Sequence, residues 1–161
     1  MTQAGRTPGR LAWFAWMAAI GLAVAVAFVA APASAGAKGG VVLGSKHFIP
    51  GPSGLGWGKV KPKRIFNGGV PNGLVSKIHW RGWGKDVAKG HGKGNGYKPG
   101  GGYFSKPIDV RLRARGIGHC GGSKRRAYTK LDAQFEKRPG SNRFTDWFAW
   151  SGSDSICRYG S

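Results

Sequence analysis

The chain has 161 residues, with 26 Lys and Arg against six Asp and Glu, a formal net charge of +20 at pH 7, and 30 glycines. That length suits a single domain, and the charge makes polyanions the natural partners. Four scattered histidines without zinc-like spacing and two lone cysteines set a metal centre aside, and no Gly-Lys is followed by Ser or Thr, which excludes a phosphate loop.

Met1 to Arg10 is polar, with Arg6 and Arg10 and no acid, and Leu11 to Ala30 carries no charge. Such a run is long enough to span a bilayer. Ala31-Pro32-Ala33-Ser34-Ala35 then breaks the helix at Pro32 and puts small residues at minus three and minus one of a cleavage site after Ala35. Residues 1–35 are expected to be a helical signal peptide that sends the rest out of the cell. An uncleaved anchor is the alternative and the one route to membrane association. The arginines stay inside in either case. No Arg-Arg pair precedes the apolar run and no Cys stands at the cleavage site, which selects the general secretory route. Removing Arg6 and Arg10 leaves 24 basic residues against six acids, a net of +18 over residues 36–161. Such a field gathers nucleic acid, anionic wall polymer or anionic lipid; solubility alone is the plainer explanation of the same charge.

Residues 36–58, rich in Gly, Pro and Ser, read as a disordered, poorly packed arm. A single basic domain is expected over 59–161. Lys61 to Phe66 leads into the Asn67-Gly68-Gly69 turn, and Pro71-Asn72-Gly73 is a second turn signal. Leu74 to Trp80 alternates as a half-buried strand, with Leu74, Ser76, Ile78 and Trp80 on one face and Val75, Lys77 and His79 on the other. Lys89 to Gly102, with Gly at almost every second place, reads as a flexible loop without a packed core. Ile108 to Arg115 is the clearest strand, with Ile108, Val110, Leu112 and Ala114 opposite Asp109, Arg111, Arg113 and Arg115. Ala127 to Glu136 alternates likewise, and an aromatic strand is expected from Phe144 to Trp150 after the Pro139-Gly140 turn. No sustained helical period follows residue 35. The expected fold is all-β, a small antiparallel sandwich or barrel. Cys120 and Cys157, an even pair in an oxidising compartment, are expected to form one disulfide.

The succession Ile78-His79-Trp80-Arg81-Gly82-Trp83-Gly84, Ala88-Lys89-Gly90-His91-Gly92, Cys120 and Tyr128-Thr129-Lys130-Leu131 resembles a group of small secreted proteins of high-GC Gram-positive bacteria, over roughly Lys59 to Leu131. The resemblance implies an extracellular, single, β-rich domain and no particular activity. Members often carry a Cys pair in the loop after A-x-G-x-G, where this chain has Gly, Lys and Asn.

The chemistry open to these residues is limited. Asp132 and Glu136 share a strand face, as paired carboxylates of a glycosidase must share a site, but amid so many cations they read as ion-pair partners. His119 beside Cys120 suggests nucleophilic catalysis only if the thiol is free. The enzyme-class alternative is a secreted ribonuclease or cationic toxin, with His79 and His119 as the acid-base pair. The leading expectation is a non-enzymatic domain, without cofactor, that binds anionic wall polymer or nucleic acid. Its candidate residues are Arg111, Arg113 and Arg115 on one strand, Lys124, Arg125 and Arg126 beside Cys120, and Lys85 and Lys89 around an exposed Trp83, with the 89–102 loop adapting to the polymer. Trp80 is assigned to the core. Docking on another secreted protein through Trp83 is the third reading.

Overall fold

The computed structural model describes residues 40–49, 54–68 and 73–158, all within the compact unit Gly36–Ser161. The expected signal peptide lies outside the described residues. Those described form seven strands: β1 (Val42–Leu43), β2 (Ile65–Phe66), β3 (Leu74–Arg81), β4 (Val87–Gly94), β5 (Ile108–His119), β6 (Arg126–Phe135) and β7 (Phe148–Ala149). They make one curled sheet, a half-barrel in the order β1-β6-β5-β4-β3-β2, with β7 also on β6. All pairings are antiparallel except β1 with β6, so the sheet is mixed rather than wholly antiparallel. Its two outermost strands both meet the segment 55–59. Leu43 on β1 donates to Lys59 O and accepts from Gly58 N–H, while Phe66 on β2 donates to Leu55 O.

The residues expected as a loose arm are, where described, part of the core. Val41, Val42, Leu43, Phe48, Ile49 and Trp57 are all buried. Their glycines serve close approach rather than freedom: Gly44 has φ +56°, and a Cβ there would lie 2.5 Å from Ile156 O. Trp57 donates its indole N–H to Phe66 O at 2.7 Å, which ties this segment to β2.

β3 begins where alternation predicts, but its register slips between Ser76 and His79, where Lys77 takes φ +52°. The bulge inserts one residue, so Val75 and Ile78 are both buried instead of facing opposite ways.

A second correction concerns Lys89 to Gly102. Its first half belongs to β4, which lies between β3 and β5, and the glycines alternate with outward side chains. Gly90, Gly92 and Gly94 are buried, whereas Lys89 and His91 are exposed. A Cβ on Gly90 would sit 2.9 Å from the Trp80 ring, and one on Gly92 2.8 Å from Ser76 O. The period of two is that of a strand whose inner positions hold no side chain because neighbouring side chains occupy that space. The hairpin narrows beyond it through a Tyr97–Tyr103 bridge to a tip at Gly100, Gly101 and Gly102, all with positive φ and nothing nearby.

β5 follows its predicted alternation, and Ile108, Val110, Leu112, Ala114, Leu131 and Ala133 supply the inner face; in β6 the alternation fails at Tyr128, expected on the outer face but fully buried in the core. The expected Phe144–Trp150 strand is reduced to a bridge at Phe144 and the two residues of β7. Cys120 and Cys157 are disulfide-bonded with Cα atoms 4.8 Å apart, a bond compatible with an extracellular location. It holds the C-terminal segment where Ile156 is fully buried and donates its N–H to Thr129 O.

Candidate cationic binding face

Cross-strand register assembles the outer face of β3 to β6 in rows. Arg81, Lys89, Arg113 and Asp132 form one row, and His79, His91, Arg111 and Gln134 the next. Arg115 pairs with Lys130, and Lys93 with Asp109, on either side of these rows. Residues directly opposite in a ladder share a face, so Arg81, Lys89, Lys93, Arg111, Arg113, Arg115 and Lys130 present their charge together against Asp109 and Asp132.

The three strand arginines are not equivalent. Asp132 receives Arg115 Nε at 2.6 Å and Nη2 at 3.0 Å, and Arg113 Nε at 3.1 Å. Burial pushes the Asp132 pKa up, but hydrogen bonds from Arg115 and Arg113 outweigh it, and the group lies below the ordinary aspartate range. The same pairing raises the Arg115 pKa further, against the burial that opposes it. Arg111 has no ion pair among the described residues; its guanidinium lies 3.7 Å from the centroid of the Phe144 ring, and that of Arg113 lies 4.5 Å from the Trp147 centroid. Trp147 is 39% exposed. Arg81 and Lys89 are exposed and likewise without an ion pair among the described residues. The free positive charge therefore centres on Arg81, Lys89, Arg111 and Lys130, with Arg113 and Arg115 half neutralised.

Glu136 departs from the ion-pair expectation. It is buried and accepts the backbone N–H groups of Asp109 and Asn142 at 3.0 Å each. Burial opposes its ionisation, and these N–H groups prevail, so its pKa is lowered. It closes the 136–143 turn and is not paired with Asp132.

Other expected contacts fall in different places. Trp83 is not an open stacking surface: its indole N–H donates to Val41 O at 2.8 Å, and its ring packs edge-on against Trp80 and Tyr128 at centroid distances of 4.8 and 5.1 Å. Trp80 packs against the core and donates to Pro62 O. Lys85 lies in the β3–β4 turn, where its carbonyl accepts the Tyr128 hydroxyl at 2.7 Å; burial raises the Tyr128 pKa. Lys124, Arg125 and Arg126 are exposed near the disulfide, at the end of the sheet beyond Arg115. There Arg125 shares a hollow with Lys46 and His47. Of the expected cations, Lys89, Arg111, Arg113 and Arg115 meet on one face, and Lys85 and residues 124–126 are exposed at one end of the sheet.

His79 and His119 do not meet. His79 is in register with His91 and so with Arg111, whereas His119 lies eight residues farther along β5, about 26 Å at a strand's rise. They cannot serve one phosphate. The Cys120 sulfur is committed to its disulfide, so no free thiol adjoins His119. A cavity of about 700 Å³ lies at the opposite end of the sheet, with Tyr97, Phe135, Phe148 and Trp150 in its walls, outside the arginine rows.

Arg81, His91, Phe144 and Trp147 belong to the face without having been singled out from sequence. Phe144 and Trp147 follow the Pro139-Gly140 turn, which returns the chain beside β6, one strand from the arginines; that adjacency was the available signal. No protein-family model, curated protein or solved structure matches the chain.

Proposed function

We propose that this is an exported protein that binds anionic polymers, wall polymer or nucleic acid, at or beyond the cell envelope through the outer face of β3 to β6. The observation that carries the reading is the register that lines up Arg81, Lys89 and Arg113 and sets Arg111 beside them. Cations at strand spacing neutralise successive phosphates and release their counterions, while the exposed Trp147 ring offers a stacking surface. The excess of positive charge in residues 36–161 supports polyanion binding, and the disulfide is compatible with an extracellular site of action.

The test is a salt titration of binding by the oxidised protein to labelled single-stranded RNA and to a polyglycerol-phosphate polymer. Log affinity is expected to fall linearly with log salt for both. Changing Arg81, Lys89 and Arg111 to Ala together should lower the slope on RNA by about 2, at roughly 0.7 per phosphate contact. Negligible binding to either polymer at physiological salt would refute the reading and leave the charge as a solubility feature.

A further inference from the structure

The register that separates His79 from His119 pairs it with His91 instead. Both are exposed, on adjacent strands of the cationic face. Direct cross-strand partners have Cβ atoms about 5 Å apart, so two imidazoles can reach either side of one phosphodiester. Their surroundings differ. His91 Nε2 lies 3.0 Å from Asp109 Oδ1, and Lys93 Nζ lies 2.8 Å from the same oxygen. Asp109 stays ionised: the Lys93 ammonium beside it lowers its pKa, with further help from His91, against a smaller opposing effect of burial. The Asp109 carboxylate beside Nε2 positions the His91 ring. The His79 ring has no hydrogen bond or ion pair among the described residues. Arg81 and Lys89 form the next pair along the same face.

We propose that His79 and His91 cleave RNA held on this face by internal transesterification, an inference that rests on the polyanion reading. His79 accepts the proton of a ribose 2′-hydroxyl, and the 2′ oxygen forms a bond to the adjacent phosphorus. The bond from that phosphorus to the 5′ oxygen breaks with its electron pair on oxygen, and the His91 imidazolium gives that oxygen its Nδ1 proton. The products are a 2′,3′-cyclic phosphate and a 5′-hydroxyl. One proton is taken and one given, and exchange with water resets the two rings. Arg81 and Lys89 hold the non-bridging oxygens as their charge grows, and Asp109 is a positioning residue for His91. DNA lacks the attacking hydroxyl and is bound but not cut.

The experiment uses the full chain, exported and oxidised, with an end-labelled DNA oligonucleotide that contains one ribonucleotide. The expected result is a single cut at the ribonucleotide with a 2′,3′-cyclic phosphate end, by the natural protein and by His119→Gln. His79→Gln and His91→Gln should each cut at least about a hundredfold more slowly with the RNA-containing strand at saturation, so that any change in binding is separated from the loss of cleavage. RNA bound but not cut by the natural protein overturns the transesterification and leaves the binding reading standing. Cutting undiminished in both His variants overturns the assignment to this pair. RNA neither bound nor cut overturns both readings together.

Discussion

β4 and β5 are neighbours in the sheet and build its inner face by opposite means. β5 fills it: Ile108, Val110, Leu112 and Ala114 point inward and are buried. β4 vacates it: Gly90, Gly92 and Gly94 face the same side, and Trp80, Val75, Ile78 and Leu112 from the flanking strands occupy the space. One strand is held by what its side chains bury and the other by how closely its backbone is approached. Stability on the β4 side therefore depends on groups that are not there, which makes it the more fragile side toward added volume.

The comparison breaks most decisively at Gly92. Gly92→Val places carbon 2.8 Å from the Ser76 carbonyl and 2.9 Å from Val75 Cγ1, and a backbone atom cannot give way as a side-chain tip can. A loss of about 3 kcal/mol or more is expected, seen as a large drop in unfolding midpoint; an unchanged midpoint would mean the glycine stripe does not face the core. Reduction of Cys120–Cys157 comes next. A closed loop of this length contributes about 3 to 4 kcal/mol by chain entropy, so denaturant melts with and without reductant should differ by that amount.

Asp132→Asn tests what fastens the outer face of β5 to β6. The guanidiniums of Arg113 and Arg115 are partly open to solvent, so the expected cost is modest, about 1 to 2 kcal/mol. The folded pKa of Asp132 lies below its unfolded value, so its contribution is complete above about pH 4 and disappears as pH falls through the folded pKa. Thermal melts across pH 2 to 6 should show the natural protein losing stability toward acid more steeply than Asp132→Asn. The smallest effect belongs to Gly102→Ala at the hairpin tip. Space there is open and only the φ of +73° resists a side chain, at about 1 kcal/mol. A cost like that of Gly92→Val would show that the two glycine groups of this hairpin do the same job.

Much of the fold was legible where side chains carry the signal. The alternation of Ile108 to Arg115 and of Ala127 to Glu136 identified the two longest strands, and the lone cysteine pair gave the disulfide. Hydropathy failed at β4 because glycine scores the same whether it is mobile or packed; its period of two was present but belonged to missing side chains. It failed at Val75 because one inserted residue at Lys77 reverses the face, and no composition marks a bulge. Residues 40–49 and 54–58 were misread because isolated apolar islands between glycines resemble a linker until their distant partners, Tyr128 and Ile156, are in place. For the face itself, the periodicity of β5 identified Arg111, Arg113 and Arg115, but which cations stay free depends on Asp132, and which histidines meet depends on β3–β4 register. Neither is local information.

The segment 55–59 occupies the outer hydrogen-bonding positions of both β1 and β2. A bare strand margin is a template on which a second chain can add. With those backbone positions already satisfied, strand addition has less to pair with at Leu43 and Phe66. Two short strands, too brief to stabilise the sheet by their own ladders, serve instead as the places where the segment 55–59 caps it.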